Sequence, residues 1–230
     1  MEWYEELDYD ENPFEVNTRM VGQENLLDEA YYTIMSGNIL VIEGDEGTGK
    51  TKLLREVIRK FGGKGKVVYM NSKQIEKELN IEDIVVKKSG FMGWLFKKYP
   101  KNMVLLLDDV EKLSEKNNER IKYLFDMNHI KAVIFATKNP NKLNFTESLL
   151  QRIRKNMQVE TLSDYEAVQV IREKVGNNCL NDRIIKEVYH QSDKNMKKFL
   201  ENSETVCKAY VDNKEITEKD VNKILAKEGK

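Results

Sequence analysis

The sequence contains few of the residues that mark secreted, metal-binding or membrane-spanning proteins. Its 230 residues include only two Cys, two His and three Pro. Cys179 and Cys207 provide neither a disulfide framework nor the spacing of metal ligands, which favours two buried thiols in a reducing compartment and predicts a cytoplasmic location. No clean apolar run is longer than the one at residues 103–107, which is far below the roughly 20 residues that a membrane-spanning helix needs. We therefore expect no membrane association, and the acidic start predicts no export signal.

The sequence also has no excess of charge of one sign, because its 38 Lys and Arg residues nearly balance its 39 Asp and Glu residues. This balance gives no bulk electrostatic reason to expect binding to nucleic acid. Acidic residues concentrate at the start, where the first twelve residues contain six acids and no base. We treat residues 1–20 as a leader whose interleaved aromatic residues pack back onto the protein. A docking strip for a basic partner is the alternative interpretation.

Short apolar runs alternate with helical patterns up to residue 160. The runs are continuous, as is typical of strands buried on both faces of a sheet, and they cover residues 38–44, 66–71, 102–109, 131–138 and, more weakly, 156–160. Helical periodicity lies between them and includes TESLLQRIRK at residues 146–155. This alternation predicts an α/β fold with a parallel sheet covered by helices.

From about residue 161 the strand patterns stop. Three or four consecutive helices are predicted there, three of them opened by a capping Ser, Asn or Thr. We therefore divide the chain into the leader at residues 1–20, an α/β core at residues 21–160 and an α-helical domain at residues 161–230.

The stretch GDEGTGKT, residues 44–51, has the spacing G-x-x-x-x-G-K-[ST] of a phosphate-binding loop, formed here by Gly44, Gly49, Lys50 and Thr51. Glycines let the backbone curl so that its N–H groups face the phosphates, the lysine reaches the β and γ oxygens, and the threonine hydroxyl ligates Mg²⁺. The loop also follows a predicted strand and opens a predicted helix, whose positive end favours anions. The motif predicts a nucleotide site, to which we also assign Gly47 and Thr48.

Two carboxylates, Asp45 and Glu46, lie inside this loop and raise the question of whether the site works. Phosphates in such a loop are held by main-chain N–H groups, so side chains at its second and third positions can point outward. The charges of Lys50 and Mg²⁺ reduce the remaining repulsion. We therefore expect a working site.

A second motif supplies the expected metal site. VLLLDDVEKL, residues 104–113, is an apolar strand that ends in Asp108 and Asp109. Asp108 would hold Mg²⁺, directly or through a water, opposite Thr51. Asp109 would polarise the water that attacks the γ-phosphate. The next predicted strand ends in two polar residues, either of which could orient that water, Thr137 and Asn139.

In this order the motifs resemble those of AAA+ ATPases: MVGQENLLDEA, GDEGTGKT, LLLDDVEKL, IFATKNP, LLQRIRKNMQVETLSDYEAVQVI and NMKKFLENSETVCKAYVDNKEITEKDVNKIL. The resemblance covers almost the whole chain from Asn12. NPFEVN before VGQENLL, and ITEKDVNKIL, look most like the branch of Cdc6/Orc-type initiators, helicase loaders and clamp loaders. The resemblance to AAA+ ATPases implies a P-loop NTPase core with a five-stranded parallel sheet of order 5-1-4-3-2, a helical lid, and MgATP bound between core and lid.

The resemblance also implies roles for single residues near the nucleotide. Val21 and Gly22 would help to form the adenine pocket. Thr137, with Asn139 as the alternative, would be the sensor at the end of the fourth strand.

Three further positions concern hydrolysis. Arg152, with Arg154 as the alternative, would reach the γ-phosphate bound by a neighbouring subunit, whereas a solvent-facing helical arginine is the competing interpretation. Lys197 stands where the family usually has an arginine on the lid, and a lysine cannot offer the bidentate fork of an arginine. Many AAA+ members have Glu at the position of Asp109, and the shorter side chain predicts slow hydrolysis.

The leading functional hypothesis is an ATPase that assembles as a homo-oligomer or with other AAA+ subunits and loads or remodels a partner. By resemblance, that partner is DNA or a DNA-replication or recombination protein. Origin-binding members carry a winged-helix or helix-turn-helix domain after the lid, and this chain ends soon after its lid, which favours a loader or adaptor. The alternative is a nucleotide-gated, STAND-like switch or binding module with little hydrolysis.

One segment has a less specific pattern. Residues 89–102, SGFMGWLFKKYPKN, combine clustered aromatic residues with lysines. Helical core packing is the favoured interpretation, and an aromatic loop that contacts single-stranded DNA or a partner protein is the alternative.

Overall fold

The computed structural model describes residues 2–62, 66–72, 81, 101–177 and 179–228. The chain divides into two compact units. We call residues 23–46 and 50–159 the α/β unit, and residues 1–22, 47–49 and 160–230 the helical unit. The clustered aromatic residues of segment 89–102 lie outside the described residues, so both interpretations of that segment stay predictions.

The described part of the α/β unit contains a five-stranded parallel sheet. Its strands in chain order are β1 Ile39–Glu43, β2 Val67–Asn71, β3 Met103–Asp108, β4 Ile130–Thr137 and β5 Ile153–Gln158. Their order across the sheet is β2-β3-β4-β1-β5, which confirms the predicted order 5-1-4-3-2. Parallel strands end at the same edge of a sheet, so the carboxyl ends of β1, β3 and β4 meet there.

Burial explains why the central strands are continuous apolar runs in the sequence. All six residues of β3 are buried, and in β4 only Lys131 is partly exposed. The last strand, β5, pairs with β1 at the end of the strand order and has no fully buried residue. Its sequence, IRKNMQ, has only two apolar positions, which accounts for its weak signal.

Four α-helices of the α/β unit are described with their bounds: α1 Glu24–Ser36, α2 Lys50–Phe61, α3 Glu115–Asp126 and α4 Glu147–Leu150. The cap of α1 is Gly37, whose φ of 72° lies in the left-handed region that favours glycine. Ser114 caps α3 by accepting a hydrogen bond from the main-chain N–H of Asn117. Buried side chains of α3 pack with those of the sheet in one apolar core.

The predicted helix over residues 146–155 is wrong in its second half. Helix α4 ends at Leu150, Arg152 lies in the following turn, and Arg154 lies within β5. The physical reason is that Ile153 and the residues after it pair with β1, and hydrogen bonds of this ladder outweigh a weak helical preference. The strand predicted at residues 156–160 therefore begins earlier, at Ile153.

The helical unit contains four described α-helices: α5 Asp164–Val175, α6 Asp182–Gln191, α7 Met196–Asp212 and α8 Val221–Glu228. Ser163, Asn181 and Asn195 cap the first three, because their side chains accept main-chain N–H groups of the first turn. Cys179 and Cys207 are free and buried in this unit, as predicted. Throughout the described ranges, no helix is both long enough and apolar enough to cross a membrane.

The leader belongs to the helical unit. Trp3, Leu7 and Phe14 pack against its apolar cluster, while the six acidic side chains of the first twelve residues are exposed. Lys174 anchors the leader because its Nζ donates to the carbonyl oxygens of three residues, Pro13, Phe14 and Val16. Packing of the leader onto the protein is thus confirmed, and a basic partner for its acids stays a prediction.

Tyr189 provides a test of the helical unit. It is fully buried, and its hydroxyl donates to the carbonyl oxygen of Leu162 at 2.9 Å. Because Tyr189→Phe removes the donor and leaves that carbonyl without it, we expect the free energy of unfolding to fall by about 1–3 kcal/mol. Tyr165→Phe is the matched control, since Tyr165 is 71% exposed. Urea unfolding followed by circular dichroism measures both variants, and equal midpoints would contradict the described hydrogen bond.

Candidate functional site

Strand β1 leads directly into the predicted phosphate loop, and helix α2 begins at the lysine of the motif. The main-chain N–H of Gly44 donates to the carbonyl oxygen of Thr137 at 3.1 Å, which extends the pairing of β1 with β4 into the loop. Gly47 and Gly49 have φ angles of 78° and 107°, and a side chain in this region is strained. These two glycines therefore allow the curl that the motif predicts, and Thr48 lies half-buried between them.

The lysine of the loop is buried and held by the loop itself. Lys50 is only 6% exposed, and its Nζ donates to the carbonyl oxygens of Gly44 at 2.5 Å and Asp45 at 2.8 Å. Burial lowers the pKa of Lys50, and three nearby carboxylates oppose this decrease, those of Asp109, Asp108 and Glu111. The ammonium group is therefore within electrostatic range of the acidic motif after β3.

Thr51 and Asp108 meet as the sequence predicts. The Thr51 hydroxyl donates to Oδ2 of Asp108 at 2.6 Å, and the Tyr69 hydroxyl donates to the same oxygen at 3.0 Å. Burial, followed by the charge of Asp108, raises the pKa of Tyr69 to about 12, so this phenol stays a donor at neutral pH. The other oxygen of Asp108, Oδ1, is buried without a hydrogen-bond partner in the described structure.

This arrangement fits a magnesium ion. Leaving a buried acceptor unpaired costs about 1–3 kcal/mol, and a cation would satisfy it. Mg²⁺ prefers oxygen ligands and is usually held by one or two protein groups, with phosphates and waters completing its shell. The carboxylate of Asp108 and the hydroxyl of Thr51 match that requirement. A metal cage made by the protein alone is not present among the described residues, which contain no cluster of three His, Cys, Asp or Glu.

The carboxylate of Asp109 is held by a residue that the sequence analysis did not identify. Asp109 follows β3 with a φ of 53°, and its Oδ2 accepts a hydrogen bond from Nδ2 of Asn71 at 3.0 Å. The Ser72 hydroxyl donates to the carbonyl oxygen of Asp109. Asn71 and Ser72 stand at the end of β2, the neighbour of β3, so the strand order indicates their position once it is known.

Glu111 is a second residue that the sequence analysis missed. The Thr137 hydroxyl donates to Oε1 of Glu111 at 3.0 Å, and the main-chain N–H of Lys138 donates to the same oxygen at 2.5 Å. The main-chain N–H of Asn139 donates to the Thr137 hydroxyl at 3.1 Å, while the Asn139 side chain caps the following turn through Asn141. Of the two candidate residues at the end of β4, Thr137 and Asn139, it is therefore Thr137 whose side chain contacts the acidic motif.

The carboxylate of Glu46 is paired with a lysine that directly follows β4. Its Oε2 lies 2.6 Å from Nζ of Lys138, so its charge is compensated locally. The main-chain carbonyl of Asp45, rather than its carboxylate, contacts Lys50. These contacts are consistent with the expected working loop.

The two candidate arginines contact other elements of the α/β unit. Nε of Arg152 lies 3.0 Å from Oδ1 of Asp126 at the end of α3, and this hydrogen bond is the main reason that the pKa of Asp126 is lowered. Arg154 donates to the Tyr32 hydroxyl at 3.4 Å, and its guanidinium carbon lies 5.0 Å from the centre of the Tyr32 ring. A role toward a neighbouring subunit stays a prediction for both.

Val21 and Gly22 belong to the helical unit. Val21 is half-buried, and Gly22 has a φ of 74°. A Cβ atom at Gly22 would lie 2.7 Å from Cδ2 of Leu162 and 2.9 Å from the carboxyl group of Glu166. The positive φ favours glycine here, and a larger residue would also have to displace the ends of the Leu162 and Glu166 side chains. A role of Val21 and Gly22 in an adenine pocket stays a prediction.

Helix α7 begins beside Gly47 within the helical unit. The main-chain N–H of Lys197 donates to the carbonyl oxygen of Gly47 at 3.3 Å, and its ammonium group lies 4.0 Å from the carboxylate of Glu201. A Cβ atom at Gly47 would come within 2.2 Å of the Asn195 side chain. Asn195, which the sequence indicates only as the start of a helix, therefore restricts the space at Gly47 in addition to the positive φ of that glycine. The role of the Lys197 side chain toward phosphate stays a prediction.

Comparison with known families identifies one that matches more than half of the chain. A family described as "AAA domain" matches residues 36–168, which include the phosphate loop, the acidic motif after β3 and the end of β4. A search of curated proteins found no significant match.

Solved structures with the same fold share little sequence with this chain. Cdc6p from Pyrobaculum aerophilum superposes with a TM-score of 0.73 at 14% identity, covering 90% of this chain and 67% of that one. Orc1 from Aeropyrum pernix, solved in complex with DNA, gives 0.70 at 11% identity, covering 91% and 66%. The Thermotoga maritima RuvB Holliday junction branch migration motor gives 0.70 at 14% identity, covering 93% and 72%. At these identities the likeness shows the fold.

Thr137 provides a test of the site without ligand. Thr137→Val keeps the shape of the side chain but removes the donor to Glu111 and the acceptor for Asn139. We expect the free energy of unfolding to fall by about 1–3 kcal/mol. In Glu111→Gln, the amide oxygen of the new side chain can still accept a hydrogen bond from Thr137, so we expect a smaller loss of unfolding free energy than in Thr137→Val. Chemical denaturation of the ligand-free protein measures both, and an unchanged midpoint for Thr137→Val would refute the described contacts.

Proposed function

The chain belongs to the AAA domain family, and from this premise we propose that it is an ATPase that binds MgATP and uses binding or hydrolysis to load or remodel a partner. The observation that carries the proposal is the pair formed by Thr51 and Asp108, with one oxygen of Asp108 buried and unpaired in the described structure. Beside a glycine loop that opens a helix, this pair supports a site for a phosphate-bound cation.

Binding is the task of the loop and its neighbours. The main-chain N–H groups of residues 44–51 and the Lys50 ammonium would bind the phosphates, while Val21 and Gly22 would contribute to the adenine pocket. Thr51 and Asp108 would hold Mg²⁺. When bound, Mg²⁺ neutralises phosphate charge and so assists transfer of the γ-phosphate.

Hydrolysis would depend on Asp109 and Thr137. Asp109 would accept a proton from the attacking water, and Thr137 would orient that water. Both side chains already have partners, since Asn71 donates to Asp109 and Thr137 donates to Glu111. We therefore propose slow turnover.

The remaining assignments concern assembly and partner. Arg152, or Arg154 instead, would complete the site of a neighbouring subunit in a homo-oligomer or in an assembly with other AAA+ subunits, and Lys197 would contribute charge from the helical unit. Structural likeness to Orc1 bound to DNA and to the RuvB branch migration motor supports DNA, or a protein that processes DNA, as the partner. A cytoplasmic location, from the cysteine content, is part of the same proposal.

A second candidate function is a nucleotide-gated switch that hydrolyses little ATP. The specific observation in its favour is that Asn71 occupies one carboxylate oxygen of Asp109. If this contact persists when ATP is bound, binding changes the protein while turnover stays negligible.

A turnover assay separates the two candidates. We expect the purified protein to release phosphate from ATP measurably faster than the Lys50→Ala variant, with and without DNA, because Lys50 would contact the phosphates throughout the reaction. If the two rates are equal, the ATPase proposal fails. The switch then survives only if the unsubstituted protein still binds ATP and Lys50→Ala does not.

Substitution of the metal pair tests how Mg²⁺ is held. Mg²⁺ should increase the affinity of the protein for ATP, and we expect this increase to be at least about 10-fold smaller in Asp108→Asn and in Thr51→Val. Each substitution removes an oxygen that would ligate or orient the ion. Asp28→Asn, an equal change of charge on an exposed position of α1, should leave the gain unchanged. Titration calorimetry with and without Mg²⁺ measures it, and a full gain in Asp108→Asn would exclude Asp108 from the site.

A further inference from the structure

The ion pair between Glu46 and Lys138 joins the phosphate loop to the end of β4. Glu46 is the third residue of the loop, and its Oε2 lies 2.6 Å from Nζ of Lys138. The Lys138 and Glu46 side chains are 39% and 64% exposed. The ammonium group of Lys138 therefore lies against the loop at a place that a ligand can reach from solvent.

The main chain of Lys138 is fixed while its side chain can exchange partners. Its N–H donates to Oε1 of Glu111, and the carbonyl of the preceding residue, Thr137, accepts from Gly44 at the start of the loop. The second hydrogen bond ties the end of β4 to the loop, and the first holds the Lys138 main chain against Glu111. Exchange of its ammonium from one anion to another needs only side-chain rotation.

Lys138 and Lys50 share an electrostatic environment. The pKa of Lys138 is raised first by its hydrogen bond to Glu46 and then by the charges of Asp109 and Glu111. The same two carboxylates act on Lys50, whose pKa is lowered mainly by burial and to a smaller extent by the charge of Lys138. The ammonium groups of Lys50 and Lys138 thus both lie within electrostatic range of Asp109 and Glu111. Of the two lysines, Lys50 belongs to the phosphate-loop motif and Lys138 does not.

We propose that Lys138 binds the γ-phosphate of ATP and that Glu46 holds Lys138 when the γ-phosphate is absent, so that the pair distinguishes ATP from ADP. This inference rests on the proposed nucleotide site. An exposed ion pair contributes little to stability, so breaking it costs little. A hydrogen bond from an ammonium group to phosphate is charge-assisted and stronger, and ADP lacks the group that would compete with Glu46.

The two members of the pair should therefore act in opposite directions. Lys138→Met removes a ligand of the γ-phosphate, so it should weaken binding of ATP and leave binding of ADP nearly unchanged. Glu46→Gln removes both the competitor for Lys138 and a negative charge at the loop, so it should strengthen binding of ATP more than binding of ADP.

The experiment is calorimetric titration of the full chain with Mg²⁺ and either ADP or the β,γ-imido analogue of ATP, which prevents turnover. We expect Lys138→Met to lower affinity for the analogue about 10-fold, the scale of one hydrogen bond to a charged group, and affinity for ADP less than about 2-fold. Lys138→Arg should restore most of the preference. Glu46→Gln should raise affinity for the analogue several-fold.

Matched controls come from the same sheet and from a similar ion pair. Lys131→Met removes a lysine near the opposite end of β4, and Glu29→Gln breaks the exposed pair with Lys155; both should leave the preference unchanged. An equal loss for both nucleotides in Lys138→Met, no loss, or weaker analogue binding in Glu46→Gln would overturn the inference while the nucleotide site stands. If the unsubstituted chain binds neither nucleotide, the proposed function itself fails.

Discussion

The parallel pairing of β1, β3 and β4 determines where each group of the candidate site in the α/β unit lies. Their carboxyl ends meet at one edge, so the phosphate loop, the acidic pair and the end of β4 converge although they are far apart in sequence. The hydrogen bond from Gly44 to Thr137 continues this pairing beyond the strands. A slip of one residue in β3 would turn Asp108 to the opposite face of the sheet and separate it from Thr51.

Convergence of this kind brings charged groups together at buried positions such as Lys50 and Asp108, and several of these groups find partners within the site. The ammonium of Lys50 bonds to the carbonyls of its own loop, and the carboxylate of Glu111 accepts from two groups at the end of β4. Buried polar groups without partners are costly. The groups that we propose to bind phosphate are therefore already hydrogen-bonded within the protein, and a nucleotide would replace those contacts.

The fold and the centre of this site were predictable from sequence because both depend on local patterns. Apolar runs separated by helical periods predicted the sheet, and glycine spacing predicted the loop, since short-range backbone geometry limits which residues fit there. The helix over residues 146–155 failed because pairing of β5 with β1 is a long-range effect. Asn71, Glu111 and Asn195 were missed for the same reason: each acts on a residue distant in sequence, and an isolated Asn or Glu has no local signature.

The residues of the candidate site differ in whether they already have hydrogen-bond partners in the ligand-free protein. Oδ1 of Asp108 is buried and unpaired within the described structure. Under the proposed function, a cation that arrives with the phosphates would therefore gain this contact without displacing another. Asp109 and Thr137 already bond to Asn71 and Glu111, and recruiting them for hydrolysis means breaking or sharing those bonds. Binding is thus favoured by the ligand-free arrangement more directly than turnover is. Asn71 and Glu111 both lie outside the phosphate-loop motif. Under the proposed function, the lifetime of the ATP-bound state would depend on how easily these two residues release Asp109 and Thr137.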